Sequence, residues 1–267
     1  MKSAAELQSG NYTISIGQAI SEGWALIAKH LGYYILGGIL AVLIGAAAGL
    51  IPFVGSLANN LIISPCFMAS AIYITWRISR GTPWTDFGEI FKGFNYLAQI
   101  MVSSLIQMAV IIFFAVVLLF NLIPQIIDLF TLTQGQGAYQ NQAEIQALAR
   151  SMFFSGKVII LLLLFIAAAL LVSVIWAFKV HFIVIYKMEA WPAMELSRKV
   201  TMKNLFPLLG LFILLGIIII VSALPCGIGL LFSLPLSIGT IYSAFAQITH
   251  CNQPDEVELD YTGGGTL

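Results

Sequence analysis

Six stretches of the chain, residues 32–52, 57–76, 96–127, 158–178, 204–224 and 227–249, contain no Asp, Glu, Lys, Arg or His. Each is long enough to cross a bilayer, because about 20 apolar residues rising about 1.5 Å apiece span a hydrocarbon layer about 30 Å thick. With no water to bond to, an open chain satisfies its backbone there only as a helix. The pattern predicts an all-α membrane protein with six transmembrane helices.

The polar punctuation groups these helices. About four residues around Pro52-Phe53-Val54-Gly55 join the first two runs, and Pro225-Cys226 joins the last two, which predicts tight hairpins. Runs three and four are separated by 121–157, where Ile126, Ile127 and Phe130, then Ile145, Leu148, Ala149, Met152 and Phe153, continue at helical spacing. This predicts an extracytoplasmic helical hairpin with its tip at Gly135–Tyr139. Ahead of each membrane hairpin stands a short segment with one apolar face. The first starts at Ser15, with Gln18 at capping-box spacing, and aligns Ile16, Ile20, Trp24, Ile27 and Leu31. The second opens at Thr82-Pro83 and aligns Trp84, Phe87, Phe91 and Phe94; the third opens at Trp191-Pro192 and aligns Ala193, Leu196 and Val200. All three are expected to lie in the cytoplasmic interface plane. The order of elements also reads as a weak parallel repeat of one interfacial helix and one hairpin.

Charge sets the orientation. Ten of the twelve basic residues (Lys2, Lys29, Arg77, Arg80, Lys92, Lys179, Lys187, Arg198, Lys199 and Lys203) fall on the side of the N-terminus, and only Arg150 and Lys157 fall opposite. By the positive-inside rule both termini are cytoplasmic, in agreement with an even number of crossings. Trp24, Trp76, Trp84, Trp176 and Trp191 map to the same boundary and are read as interfacial anchors. Composition agrees: 60% hydrophobic and 9% charged residues in 267 lie far from soluble norms. Zero net charge and the lack of a dense basic stretch argue against nucleic-acid binding. No cleavable signal peptide is expected, since the first long apolar run comes late. Residues 1–252 read as one six-helix domain, and 253–267, with Asp255, Glu256, Glu258 and Asp260, as a disordered cytoplasmic tail. Cys66, Cys226 and Cys251 are dispersed along the chain, and no disulfide is expected.

Three further passages carry a resemblance: Gly17–Gly32, leading into the first helix; Ala193-Met194-Glu195-Leu196-Ser197-Arg198-Lys199-Val200; and Gly227-Ile228-Gly229 with Pro235. Over nearly the whole chain they resemble the bacterial six-helix membrane families that include the YciC-like proteins and the membrane domain of some glycerophosphodiester phosphodiesterases. The resemblance implies a six-helix fold and a bacterial cytoplasmic (inner) membrane. It implies no phosphodiesterase activity, because that enzymatic half has no counterpart here.

Candidate chemistry is sparse. A charge at the bilayer centre costs about 2.5–3.5 kcal/mol even on mild scales, so intramembrane ionisable groups mark ion and proton paths. The six runs have none, which argues against proton coupling. Gln99, Ser103 and Gln107 recur every four residues and share a face, either bonding between helices or lining a substrate groove. Ala41, Gly45 and Gly49, then Gly229, Ser233 and Ser237, recur likewise and permit close helix approach. His30, His181 and His250 are expected near the cytoplasmic helix ends, where three imidazoles at one depth would be a candidate metal site. No Walker, dinucleotide, HExxH or GxSxG motif occurs. No catalytic residue or cofactor is therefore assigned. The sequence favours a non-enzymatic polytopic membrane protein in envelope organisation or assembly, with lipid, a protein partner or its own copies as partners. Alternatives are a transporter or lipid-handling protein, and a membrane enzyme acting on lipid through the histidines.

Overall fold

In the computed structural model, residues 1–10, 12–82, 86–134, 146–147, 150, 155–225 and 227–252 are described. Every regular element among them is helical: α1 (Ala4–Ser9), α2 (Ile16–Ala28), α3 (Leu31–Gly49), α4 (Val54–Ala58), a π-helical turn (Asn59–Ile63), α5 (Ser64–Ser79), a 3-10 segment (Phe87–Tyr96), α6 (Leu97–Gln134), α7 (Gly156–Ile175), α8 (Lys179–Ile185), α9 (Ala190–Lys203), α10 (Leu205–Ala223) and α11 (Leu230–Thr249). Six helical spans are long and apolar enough to cross a membrane: Leu31–Gly49, Val54–Ser79, Phe87–Pro124, Gly156–Ile185, Leu205–Ala223 and Leu230–Thr249. The predicted hairpin tip at Gly135–Tyr139, the anchor Trp84, Cys226 and the tail from residue 253 lie outside the described residues. Where the sequence reads as one domain, contacts divide the chain into two compact units, Met1–Leu105 with Val174–Leu267, and Ile106–Ser173.

The first unit is fastened at its N-terminus. Ser3 caps α1 by a capping box with Glu6, whose carboxylate sits below the ordinary range chiefly because the Ser3 backbone N–H donates to it. Leu7 on this short helix is fully buried. The Lys2 N–H donates to the Thr249 carbonyl at 3.1 Å, ending α11 against the start of the chain. The buried Asn204 donates from Nδ2 to the Tyr12 carbonyl (2.9 Å) and accepts the Ile14 N–H at Oδ1 (3.3 Å), clamping the stretch before α2. Lys203 Nζ donates to the Gln8 and Gly10 carbonyls and lies over the Tyr12 ring. Burial pushes the Tyr12 phenol up to about 12.

The second capping box, expected at Ser15 and Gln18, does not form. Ser15 is the N-cap of α2, yet its side chain makes no cap bond. Its backbone N–H, which the box would give to Gln18, donates instead to Gln247 Oε1 of α11 at 3.0 Å. A tertiary bond has replaced a local one.

Helix α2 departs from the sequence reading in its packing as well. The contacts run Ser15 to Gln247, Glu22 to Ser243, and Gly23 to Gly239, so α2 lies antiparallel along α11. Its buried stripe is Ala19, Gly23 and Ile27; of the expected face Ile16, Ile20, Trp24, Ile27 and Leu31 only Ile27 is buried, and Trp24 stays 40% exposed. The reason is steric. A Cβ on Gly23 would lie 2.6 Å from the Gly239 carbonyl carbon, and one on Gly239 would lie 2.5 Å from the Gly23 oxygen, so only two glycines let these backbones touch.

The segment that opens the third span, Phe87–Tyr96, is a 3-10 helix rather than the expected α-helix. Three residues per turn bring Glu89, Ile90 and Gly93 inward and leave Phe87 and Phe91 exposed. Gly93 rests on α5, where its N–H donates to Ser70 Oγ (2.8 Å) and Ser70 Oγ donates to the Cys66 carbonyl (3.0 Å). Arg77 of α5 pairs with Glu89, and Phe67 meets the Phe94 ring edge-on. Helix α9 buries Ala193, Leu196 and Val200 and keeps Arg198 and Lys199 outside, paired with Glu195.

The second unit comprises the rest of α6 and most of α7. Lys157 Nζ donates to the Asn121 carbonyl at 3.1 Å, one turn before Pro124 interrupts the hydrogen-bond ladder of α6. Its large side chains face outward: Phe113, Phe120, Leu163 and Leu164 are each more than half exposed.

Candidate functional site

The polar strip of α6 is where the sequence places a groove. In the structure Gln99 Oε1 accepts the Ala190 N–H at the start of α9 (2.9 Å). Ser103 is fully buried, its hydroxyl donating to the Ile100 carbonyl (2.9 Å) while its own carbonyl accepts from Lys179 Nζ (3.1 Å). Gln99 Oε1 and Ser103 are thus engaged in bonds within the protein. Gln107, one turn on, is half-buried and belongs to the second unit.

Lys179 brings a correction. Together with His181 it was placed at a wet helix boundary, but the fourth span continues through a turn at 176–178 into α8, and both side chains lie in the protein interior. Lys179 is 7% exposed; His181 is 1% exposed, with ring centroids of Phe178 and Phe245 at 5.8 and 5.0 Å. Neither imidazole nitrogen closes a hydrogen bond of normal geometry. The signal was present in sequence: Phe178, Val180 and Phe182–Ile185 carry the apolar run past the two cationic positions.

The three histidines do not form the expected cluster. His181 is enclosed by aromatic rings, His30 precedes α3 and stacks on Tyr33, and His250 closes α11 in a left-handed conformation (φ 52°). Desolvation, then the nearby Lys2 charge, lowers the His250 pKa. Among the described residues no three His, Cys, Asp or Glu side chains come together as a metal-holding group. Cys66 and Cys251 are buried free thiols.

The tryptophans split. Trp191 is 67% exposed, Trp176 is half-buried, and Trp76 turns its indole N–H inward to the Cys251 carbonyl (3.3 Å). Trp24 lines an open apolar depression between α2, α10 and α11, together with Ile20, Ile218, Ser222, Phe232 and Ser233. No lining residue is charged, and Ser233, 3% exposed, has a buried Oγ without a hydrogen-bond partner. With about ten residues of α11 between Gly239 and its C-terminal end, the Gly23 crossing lies about 15 Å along the helix, and Trp24 sits beside it rather than at a helix end.

No protein-family model, curated protein or solved structure matches the chain.

Proposed function

We propose that this chain is a non-enzymatic, multi-pass protein of a bacterial cytoplasmic membrane, with both termini cytoplasmic, that serves as an accessory or assembly subunit in envelope organisation. The observation that carries this reading is the division of labour between the units. The first commits several polar side chains to internal bonds: Gln99 to Ala190, Lys179 to Ser103, Asn204 to the N-terminal segment. The second offers long apolar faces around Phe113, Phe120 and Leu163, suited to lipid and to neighbouring membrane helices. The likeness to the YciC-like six-helix families supports the same location. Extraction at native expression level into lipid nanodiscs, followed by mass measurement, tests it. A stoichiometric second chain or copy on the 29.0 kDa protein is expected; a uniform monomer accompanied by lipid alone contradicts it.

A second reading, lipid handling, is favoured by the open depression between α2 and the two membrane-length helices α10 and α11, which is apolar in its lining. A third, an enzyme acting through the histidines, has no comparable support, given where His30, His181 and His250 stand.

A further inference from the structure

We infer that the chain pairs with a second copy of itself through the exposed face of α4, the π-helical turn and α5, held by reciprocal hydrogen bonds between the two Asn60 carboxamides. The inference rests on the chain being embedded in a bilayer. It goes beyond the accessory-subunit reading by naming the partner and the contact.

Two neighbouring asparagines divide the helix between them. Asn59 turns onto α3, its Oδ1 lying 2.7 Å from where a Cβ on Gly45 would stand. Asn60, the next position round, is exposed, as are Ser56 one turn before it and Ser64 one turn after. Asn60 Nδ2 donates to the Ser56 carbonyl at 2.8 Å, which leaves Oδ1 and one N–H of the carboxamide over. Among the described residues, these two groups and the Ser56 and Ser64 hydroxyls meet no hydrogen-bond partner. Leu57 and Met68, 53% and 43% exposed, flank them with apolar surface.

Depth makes that exposure informative. The second span runs Val54–Ser79, with Arg77 held by Glu89 near its C-terminal end. Counted back from Arg77, Ser64 and Asn60 lie about 20 and 26 Å along the helix, within a hydrocarbon layer about 30 Å thick. A carboxamide in that medium gains from any partner it can find. Asn121 is the contrast. It too donates from Nδ2 to the carbonyl four residues back (Val117, 2.8 Å), but its own carbonyl accepts from the Lys157 ammonium, a group that keeps to the wet boundary.

The chemistry of the face selects its occupant. Acyl chains offer neither donor nor acceptor, whereas Asn60 presents one of each. A group with a free donor and a free acceptor is complementary to itself. Two copies related by a two-fold axis along the membrane normal bring each residue near its own counterpart, so the two carboxamides close two reciprocal bonds. Ser56 and Ser64 are small enough to let the helix backbones approach on either side of them.

The test is single-molecule subunit counting of the full-length protein in phosphatidylethanolamine–phosphatidylglycerol vesicles at falling protein-to-lipid ratio. The natural chain is expected to dimerise. Asn60→Leu should weaken dimerisation about 7- to 300-fold, the worth of two hydrogen bonds between membrane helices. Asn60→Gln, which keeps donor and acceptor, should retain most of it, and Asn121→Leu should leave it unchanged. In a background lacking Cys66, Cys226 and Cys251, Ser64→Cys should form an intermolecular disulfide on oxidation, and Phe113→Cys should not. Should Asn60→Leu misfold, the crosslink still decides. A dimer indifferent to Asn60→Leu, or a crosslink through Phe113→Cys in place of Ser64→Cys, overturns the inference. A different chain in place of the copy also overturns it and leaves the accessory reading standing, whereas a monomer at every ratio with lipid alone removes both.

Discussion

Placing one methyl group at the crossing of α2 and α11 should have a cost that no other surface of α2 would show. At Gly23 the new Cβ would lie 2.6 Å from the Gly239 carbonyl carbon and the Thr240 nitrogen; at Gly239 it would lie 2.5 Å from the Gly23 oxygen and Ile27 Cγ1. Comfortable carbon contacts are about 3.5–4.0 Å, so the helices must part by about 1 Å. Forced overpacking costs about 1–3 kcal/mol, and Ala regains up to about 1 kcal/mol of helix propensity over Gly. The net for Gly23→Ala is then about 0–3 kcal/mol, while Gly239→Val, with two further methyls and no such regain, should cost about 2–3 kcal/mol. At about 2–4 °C per kcal/mol for a protein of this size class, the valine variant loses about 4–12 °C. The assay is loss of the monodisperse gel-filtration peak after heating, in one fixed detergent. Gly38 and Gly216 are the controls: a Cβ at either meets nothing within 4 Å, so alanine there should leave the midpoint unchanged or raise it. The double variant Gly23→Ala/Gly239→Ala should cost less than the sum of its parts, because helices already parted by one methyl admit the second. Equal midpoints for Gly239→Val and the controls, or strict additivity, would refute the close crossing.

Three other expectations are sharper in readout. Asn204→Ala strands the Tyr12 carbonyl and the Ile14 N–H, at about 1–3 kcal/mol; amide exchange at Ile14 should quicken roughly 5- to 150-fold, and unchanged exchange means the clamp is absent. For Arg77 and Glu89, whose side chains are 24% and 8% exposed, a double-mutant cycle with Arg77→Leu and Glu89→Gln should give about 0.5–3 kcal/mol of coupling; zero coupling removes the pair. Burial raises the Cys251 thiol pKa, so less thiolate exists at any given pH. Maleimide modification of Cys251 in the folded protein should be slower than in SDS at pH 8 and should rise only at more alkaline pH, and equal rates in the two states contradict its burial.

The membrane-crossing helices were legible because their cause is local: an uninterrupted apolar run has one stable form in lipid. In α9, Ala193, Leu196 and Val200 follow helical spacing and are buried within the protein. What escaped was decided by partners distant in sequence. The Ser15 capping box was a fair reading until Gln247, 232 residues away, took the amide it needed. The stripe Ala19–Gly23–Ile27 looked less apolar than its neighbour, yet close contact with Gly239 favours small side chains over large ones. Gln99 and Ser103 do share a face, as their spacing requires, but only the fold shows that α8 and α9 cover it. Lys179 and His181 were treated as boundary markers by their charge, whereas the apolar residues around them carry the segment inward. Helix α1, by contrast, is local in origin, with Ser3 and Glu6 at capping-box spacing.

Six crossings that return both termini to the cytoplasmic face are measured most directly by single-cysteine accessibility. In a background lacking Cys66, Cys226 and Cys251, new cysteines would replace Gln8, Phe53, Ser155 and Asn252, one at a time. A membrane-impermeant maleimide applied to the outer face of intact inner-membrane preparations should label Phe53→Cys and Ser155→Cys, and should reach Gln8→Cys and Asn252→Cys only after permeabilisation. Labelling of Gln8→Cys or Asn252→Cys from outside, or protection of Ser155→Cys, would contradict the six-crossing topology.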